Sequence, residues 1–264
     1  MDNRNTLGGT FDTNVSLYAR MRPGYVPALY RAIFDYQPID EASRVLEVGS
    51  GSGQATLPLL QTGCALTAVE PGENFSARLE KAFGGFPGFK VITAKFEDAA
   101  LEKNAYDLVF SATAFHWVPE AIGYQKVYDI LKPGGAFARF ANRPSVGRDD
   151  PALAEEIDAL YDEYYNKHYG IRSGKKKAFA EEDAETISLI PEQYGFRAIQ
   201  YRLFRRERVF AAREYTQLLG TYSDHIALGE ENRNTFFRKI EEAIDRHGGI
   251  IVIKDTLDLE LARK

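Results

Sequence analysis

The chain has 264 residues, 44% of them hydrophobic and 27% charged, enough apolar material for one sizeable core and too much for a disordered chain. Its net charge of −5 offers no general attraction to nucleic-acid phosphates. A single cysteine, Cys64, excludes an internal disulfide and a multi-cysteine metal site.

Residues 11–34 read as a preface to the core. Phe11-Asp12 leads into Val15–Met21 and then Arg22-Pro23-Gly24-Tyr25, followed by a helical pattern through Leu29, Ile33 and Phe34. Tyr18 and Arg22 lie four apart, on one face if the piece is helical. From the residues alone this is either a solvated surface segment or part of a site. Val45-Leu46-Glu47-Val48 then reads as a buried strand. It stops at three glycines in alternate positions, Gly49, Gly51 and Gly53, and Ala55–Leu60 reads as the start of a helix. Strand, glycine turn and helix bring a ligand close to bare backbone at a helix N-terminus; an ordinary tight turn would look the same. A dinucleotide fingerprint needs its third glycine where this chain has Gln54.

Ala65–Val69 is a second strand, ending at Glu70-Pro71-Gly72. Glu70 stands 19 residues beyond Gly51, close to the spacing at which an acidic side chain grips ribose hydroxyls. A helix over 75–83 turns Leu79 and Phe83 inward. After a glycine-rich loop, Val91-Ile92-Thr93 forms a third strand, with Phe96-Glu97-Asp98 just beyond it. Asp107–Ser111 is the fourth strand and runs into Ala112-Thr113-Ala114-Phe115-His116-Trp117. That stretch lies at the carboxyl end of a strand, where open α/β sheets bind ligands. His116 can accept a proton near neutral pH or simply orient its loop. Pro119 opens a helix that runs through Ile122, Val127 and Ile130. Lys132-Pro133-Gly134-Gly135 ends it, and Ala136–Phe140 is a fifth strand.

From Asn142 the alternation breaks. Residues 151–169 read as an acidic, tyrosine-rich helix that either packs its aromatic stripe on the core or caps a site. Lys175-Lys176-Lys177 has no aromatic interleaving and reads as a solvated loop. Residues 196–210 read as a sixth strand with one arginine-rich face, 211–219 as a helix, and Thr221–His225 as either a pocket lining or a turn. Residues 230–247 form a long helix with Phe236, Phe237, Ile240 and Ile244 inward, and 249–261 the last strand.

An acidic residue followed by Gly-x-Gly-x-Gly, an acid at position 70, the His116-Trp117 pair and the Lys-Pro-Gly-Gly turn together resemble the class I S-adenosylmethionine-dependent methyltransferases. The Tyr18-x-x-x-Arg22-Pro-x-Tyr25 segment and His116-Trp117 are similar to those of the trans-aconitate methyltransferase-like group. The resemblance implies a doubly wound, Rossmann-like α/β fold of seven strands with the last antiparallel, plus a helical cap insertion. It divides the chain into an N-terminal lid (1–37), a cofactor-binding core (38–142), a cap (143–195) and a C-terminal part completing the sheet (196–264). It implies S-adenosyl-L-methionine as cofactor, bound through Tyr18, Arg22, Glu47, Gly49, Gly51, Glu70, Pro71, Phe96, Glu97, Ser111 and Trp117, with His116 as candidate base. Arg22 would face the methionine carboxylate, and either Glu97 or Asp98 the adenine edge.

The implied reaction is methyl transfer to oxygen, nitrogen or carbon of a small-molecule acceptor. A regulatory protein that keeps the pocket without turnover is the alternative. Gln54 weakens a nicotinamide-dependent dehydrogenase, and net charge disfavours a nucleic-acid partner. No metal is expected. No apolar run follows Met1–Asn5 and none approaches the roughly 20 residues of a membrane span, so the expectation is a cytoplasmic monomer or homodimer without a membrane partner.

Overall fold

The computed structural model describes residues 15–172 and 178–264. Phe11-Asp12 and the three-lysine run lie outside the described residues. Seven strands form one mixed sheet: β1 (Arg44–Val48), β2 (Ala65–Val69), β3 (Lys90–Ile92), β4 (Tyr106–Ala112), β5 (Leu131–Val146), β6 (Arg197–Ala211) and β7 (Ile250–Arg263), in the order β3-β2-β1-β4-β5-β7-β6. The first five are mutually parallel. β7 runs against β5. Gly134 N–H donates to Lys264 O while Gly147 N–H donates to Val252 O, so one strand's numbers rise as the other's fall. The expected seven-stranded sheet with an antiparallel last strand is therefore present.

The chain divides into two compact units. Among the described residues, the first comprises 23–142, 179–204 and 256–264; the second comprises 15–22, 143–172, 178 and 205–255. In the first unit, strand alternation produces two apolar layers. Val45, Leu66, Leu108, Phe110, Ala138 and Phe140 point to one side, with Leu29 and Ile33 of the Pro27–Tyr36 helix and Leu79 of the Glu73–Phe83 helix. Leu46, Val48, Val69, Val109 and Phe137 point to the other, with Tyr124 and Val127 of the Glu120–Ile130 helix. Helices on both faces of a largely parallel sheet make the doubly wound arrangement.

Lys132–Gly135 is not a free turn. The Glu120–Ile130 helix caps at Leu131, and β5 starts there with a bulge. Tyr106 pairs with Leu131 but Leu108 pairs with Ala136, so the extra residues loop out where Gly134 takes φ 79.

The second unit has its own core, in which Leu153, Ile157, Leu218, Phe236, Ile240 and Ile244 are buried together. Asp150 caps the Pro151–Leu160 helix by accepting from Leu153 N–H at 3.0 Å. The tyrosine-rich continuation is π-helical over Tyr161–Asn166, a widening absent from the 3.6-residue pattern. Its rings pack inward: Tyr161 lies edge-on to Phe236 at 5.1 Å and Tyr164 stacks on it at 5.7 Å. Thr221 and His225 are buried, and His225 is held by the Asp224 carboxylate at 2.9 Å. Arg206 and Arg208 of β6 converge on Asp255, whose side chain is fully buried.

Candidate active site

The site is built in the first unit, where β1, β2 and β4 end side by side. β1 gives way to the glycine turn, in which Gly49, Gly51 and Gly53 have φ of 70, 53 and 88°. Gly49 is fixed by more than its dihedral: a Cβ there would come within 2.5 Å of the Ala114 methyl. A Cβ at Gly53 would come within 2.4 Å of the Phe83 ring. No L-residue with a side chain meets both demands.

Glu70 closes β2 and is 6% exposed. Its Oε2 accepts from Gly51 N–H at 2.7 Å and its Oε1 from Gly72 N–H at 3.0 Å, so the carboxylate is locked to the glycine turn on one side and its own loop on the other. Its main-chain N–H donates to Ile92 O at 3.0 Å. Glu47 is fully buried beneath the turn, and Thr56 Oγ1 donates to its Oε2 at 2.6 Å. Burial pushes the Glu47 carboxyl up to about 7, against the Thr56 and Ser50 hydroxyls, which pull it down. Ser111 Oγ donates to Val48 O at 2.8 Å, tying the end of β4 to the end of β1.

Beyond β4 the chain makes a sharp move. Thr113 has φ 56, a left-handed conformation that costs a β-branched residue about 1–2 kcal/mol. Its N–H donates to Phe140 O at 2.7 Å, its hydroxyl lies 2.7 Å from Tyr25 OH, and it accepts Asn142 N–H at 3.1 Å. A 3-10 turn over Phe115–Trp117 follows, with Phe115 buried against Tyr124 and Phe137. The same turn presents an exposed His116 and a half-buried Trp117, ring centroids 4.9 Å apart. Phe96 is buried, Glu97 half-buried and Asp98 exposed. Lys126 anchors this loop by donating to Glu97 O at 2.9 Å and Ala99 O at 2.6 Å.

The structure thus bonds Gly51 directly to Glu70, holds Glu47, Gly49 and Ser111 at the same strand ends through Thr56, Val69 and Val48, and sets His116 and Trp117 in the turn that follows Ala114. Pro71 is exposed beside Glu70. Tyr18 and Arg22 belong to the second unit. There the Arg22 guanidinium lies 3.9 Å from the Tyr222 ring and 4.9 Å from the Tyr18 ring, and Nη2 donates to Thr221 O at 2.9 Å. Its Nε is buried with no hydrogen-bond partner among the described residues.

Sequence reasoning missed Thr113 and Asn142, and left Tyr25 without a role although it lies in a segment singled out above. No residue-level signal marked Thr113, since left-handed positions favour glycine and asparagine. The groove bounded by Arg44, Lys90 and Tyr106 lies at the amino ends of β1, β3 and β4, opposite the ligand-binding end of such sheets.

Comparison with known proteins agrees with this geometry. Residues 46–138 match the methyltransferase domain family. The matched stretch runs from β1 into β5 and includes the glycine turn. An uncharacterized methyltransferase of Schizosaccharomyces pombe is 26% identical over 90% of this chain and 88% of its own length. An uncharacterized methyltransferase of Mycobacterium tuberculosis is 31% identical over about half of each chain, 50% and 51%. Among solved structures, a proposed type II methyltransferase of Anaeromyxobacter dehalogenans superposes with a TM-score of 0.63 at 22% identity, over 92% of this chain and 97% of that one.

The residues at the carboxyl end of the sheet fit a ligand that carries a vicinal diol. A buried carboxylate fixed by two main-chain N–H groups suits a vicinal diol, because carboxylate oxygens accept more than one hydrogen bond. Ser52 Oγ, buried in the glycine turn without a hydrogen-bond partner among the described residues, is a further polar group for a ligand. Among the described residues there is no cluster of three or more His, Cys, Asp or Glu able to hold a metal, and no helix long and apolar enough to cross a membrane.

Proposed function

We propose that this chain transfers a methyl group from S-adenosylmethionine to an oxygen, nitrogen or carbon atom of a small-molecule acceptor by in-line displacement. The observation that carries the reading is the buried Glu70 carboxylate bonded to Gly51 N–H across the glycine turn. When bound, S-adenosylmethionine supplies a methyl group on a positively charged sulfur, a good leaving group without help from a side-chain nucleophile.

The chain's own work is then to bind, align and exclude water. Glu70 takes the ribose hydroxyls, and the bare backbone at Gly49 and Gly51 admits close approach. Phe96 and Glu97 read the adenine, with Pro71 and Trp117 flanking the cofactor. The resemblance assigns Arg22, with Tyr18, to the methionine carboxylate. Glu47 and Ser111 hold the strand ends that carry these contacts. His116, exposed on its turn, takes a proton from acceptors that must lose one.

Isothermal titration of the purified protein with S-adenosylmethionine, S-adenosylhomocysteine and NAD tests the reading. Micromolar binding of both sulfur compounds and none of NAD is expected. A folded sample that binds neither sulfur compound refutes it.

A further inference from the structure

We propose that Thr113 is a positioning residue of this site, and that its hydroxyl, clasped by Tyr25 and Asn142, fixes the Ala114–Trp117 turn against Gly49. The part that concerns the cofactor rests on the methyltransferase reading; the geometric part does not.

A threonine at φ 56 occupies backbone space that glycine takes without strain. What threonine adds is Oγ1. That atom lies 2.7 Å from Tyr25 OH and accepts Asn142 N–H at 3.1 Å, while Thr113 N–H donates to Phe140 O at 2.7 Å. One residue is thus pinned to β5 at two places, Phe140 and Asn142, and to the segment preceding the Pro27–Tyr36 helix at a third. Tyr25 is itself braced, its ring edge-on to Phe140 at 4.7 Å.

The strain propagates along the chain. Ala114 directly follows Thr113, and its methyl fills the space a Cβ at Gly49 would need. Trp117 N–H donates to Ala114 O at 3.0 Å, so a shift at Thr113 reaches His116 and Trp117 within one turn. The glycine turn cannot recoil without losing Gly51 N–H from Glu70. Thr113 therefore sets the distance between the turn bearing His116 and the loop proposed to receive the cofactor, without touching either ligand.

Trp117 is the chain's single tryptophan, which makes the turn observable without any ligand. Thr113→Val keeps shape and strain and removes only the hydroxyl; Thr113→Ser keeps the hydroxyl. In the full-length apo protein, Thr113→Val is expected to raise acrylamide quenching of Trp117 about twofold and to weaken S-adenosylmethionine binding roughly 5–10-fold, the loss of about one hydrogen bond. Thr113→Ser should stay close to wild type in both. If Thr113→Val fails to fold by circular dichroism, Tyr25→Phe, which breaks the same clasp from the other side, supplies the quenching measurement. Unchanged Trp117 quenching in a folded clasp-breaking variant, or a serine variant that behaves like valine, overturns the proposal. A wild type that binds no S-adenosylmethionine while quenching responds as expected refutes the methyltransferase reading and leaves Thr113's role standing.

Discussion

Glu47 gives the sharpest quantitative prediction, because its side chain is fully buried and its carboxyl is pushed from 4.5 up to about 7, chiefly by burial. A raised folded-state value means that the folded protein holds this proton more tightly than the unfolded chain does. Stability from this group is therefore complete below about pH 4.5 and is lost as pH rises through about 7. The displacement corresponds to about 3 kcal/mol, of which about 2.5 kcal/mol should be lost between pH 5 and 8. Glu260 is also raised to about 7 by burial, against its Arg139 partner, and adds a slope of the same sign. A wild-type curve alone therefore cannot isolate Glu47. The measurement is urea unfolding of wild type and Glu47→Gln at intervals from pH 5 to 8. The glutamine variant cannot ionise, so the difference between the two proteins should move in its favour by about 2.5 kcal/mol across that range. Any constant offset from remodelling the Thr56 contact cancels. A difference that stays flat within about 0.5 kcal/mol would show that Glu47 is not held in a desolvated site, and the account of what supports the glycine turn would fall.

Further consequences follow from the same contacts. Glu70→Ala removes the acceptor for Gly51 and Gly72 N–H and should weaken S-adenosylmethionine binding by about 1–3 kcal/mol in calorimetry, and unchanged affinity would remove Glu70 from the site. Gly49→Ala must place a methyl 2.5 Å from the Ala114 methyl at positive φ, so a loss of at least about 2 kcal/mol is expected in thermal unfolding. Asp255→Ala leaves Arg206 and Arg208 without the fully buried carboxylate they share; a loss of about 3–5 kcal/mol in denaturant unfolding is expected, with equal stability contradicting the packing of the second unit. His116→Ala should leave cofactor affinity within about twofold while lowering turnover, since the ring is exposed on its turn; equal loss of both would assign it to loop orientation.

The elements that were legible in the sequence are those whose signal is local. Val45–Val48 and Ala65–Val69 announce buried parallel strands by unbroken aliphatic runs, and three alternate glycines announce a turn that needs positive φ. Glu70 was found by its spacing from Gly51, and the two prove to be bonded. What stayed hidden depends on partners distant in sequence. The Lys132–Gly135 stretch reads as a terminator from its composition, yet the far end of β7 recruits it: Lys264 N–H donates to Gly135 O across the sheet. The π-helical Tyr161–Asn166 follows no residue pattern that periodicity can detect. Thr113 was invisible for the strongest reason, since its dihedral contradicts its own propensity and is imposed by Tyr25, Phe140 and Asn142.

The polar residues around the glycine turn divide by the direction in which their hydrogen bonds run. Glu47 Oε2 and Ser111 Oγ are spent on the protein itself, one on the Thr56 hydroxyl and one on Val48 O, and both residues are fully buried. Thr113 belongs with them, since its named bonds go to Tyr25, Phe140 and Asn142. Glu70 differs, because its carboxylate accepts from the main-chain N–H groups of Gly51 and Gly72, in loops at the carboxyl end of the sheet. The loops after β1, β2 and β4 are each held by a side chain that satisfies a neighbour's backbone, which fixes their mutual distances before any ligand arrives. For the proposed methyl transfer, whose main demand is alignment of nucleophile, methyl carbon and sulfur, rigid loop spacing is itself a catalytic contribution. Substitutions in the first group should therefore register in stability together with affinity, whereas loss of the Glu70 carboxylate should register in affinity far more than in stability.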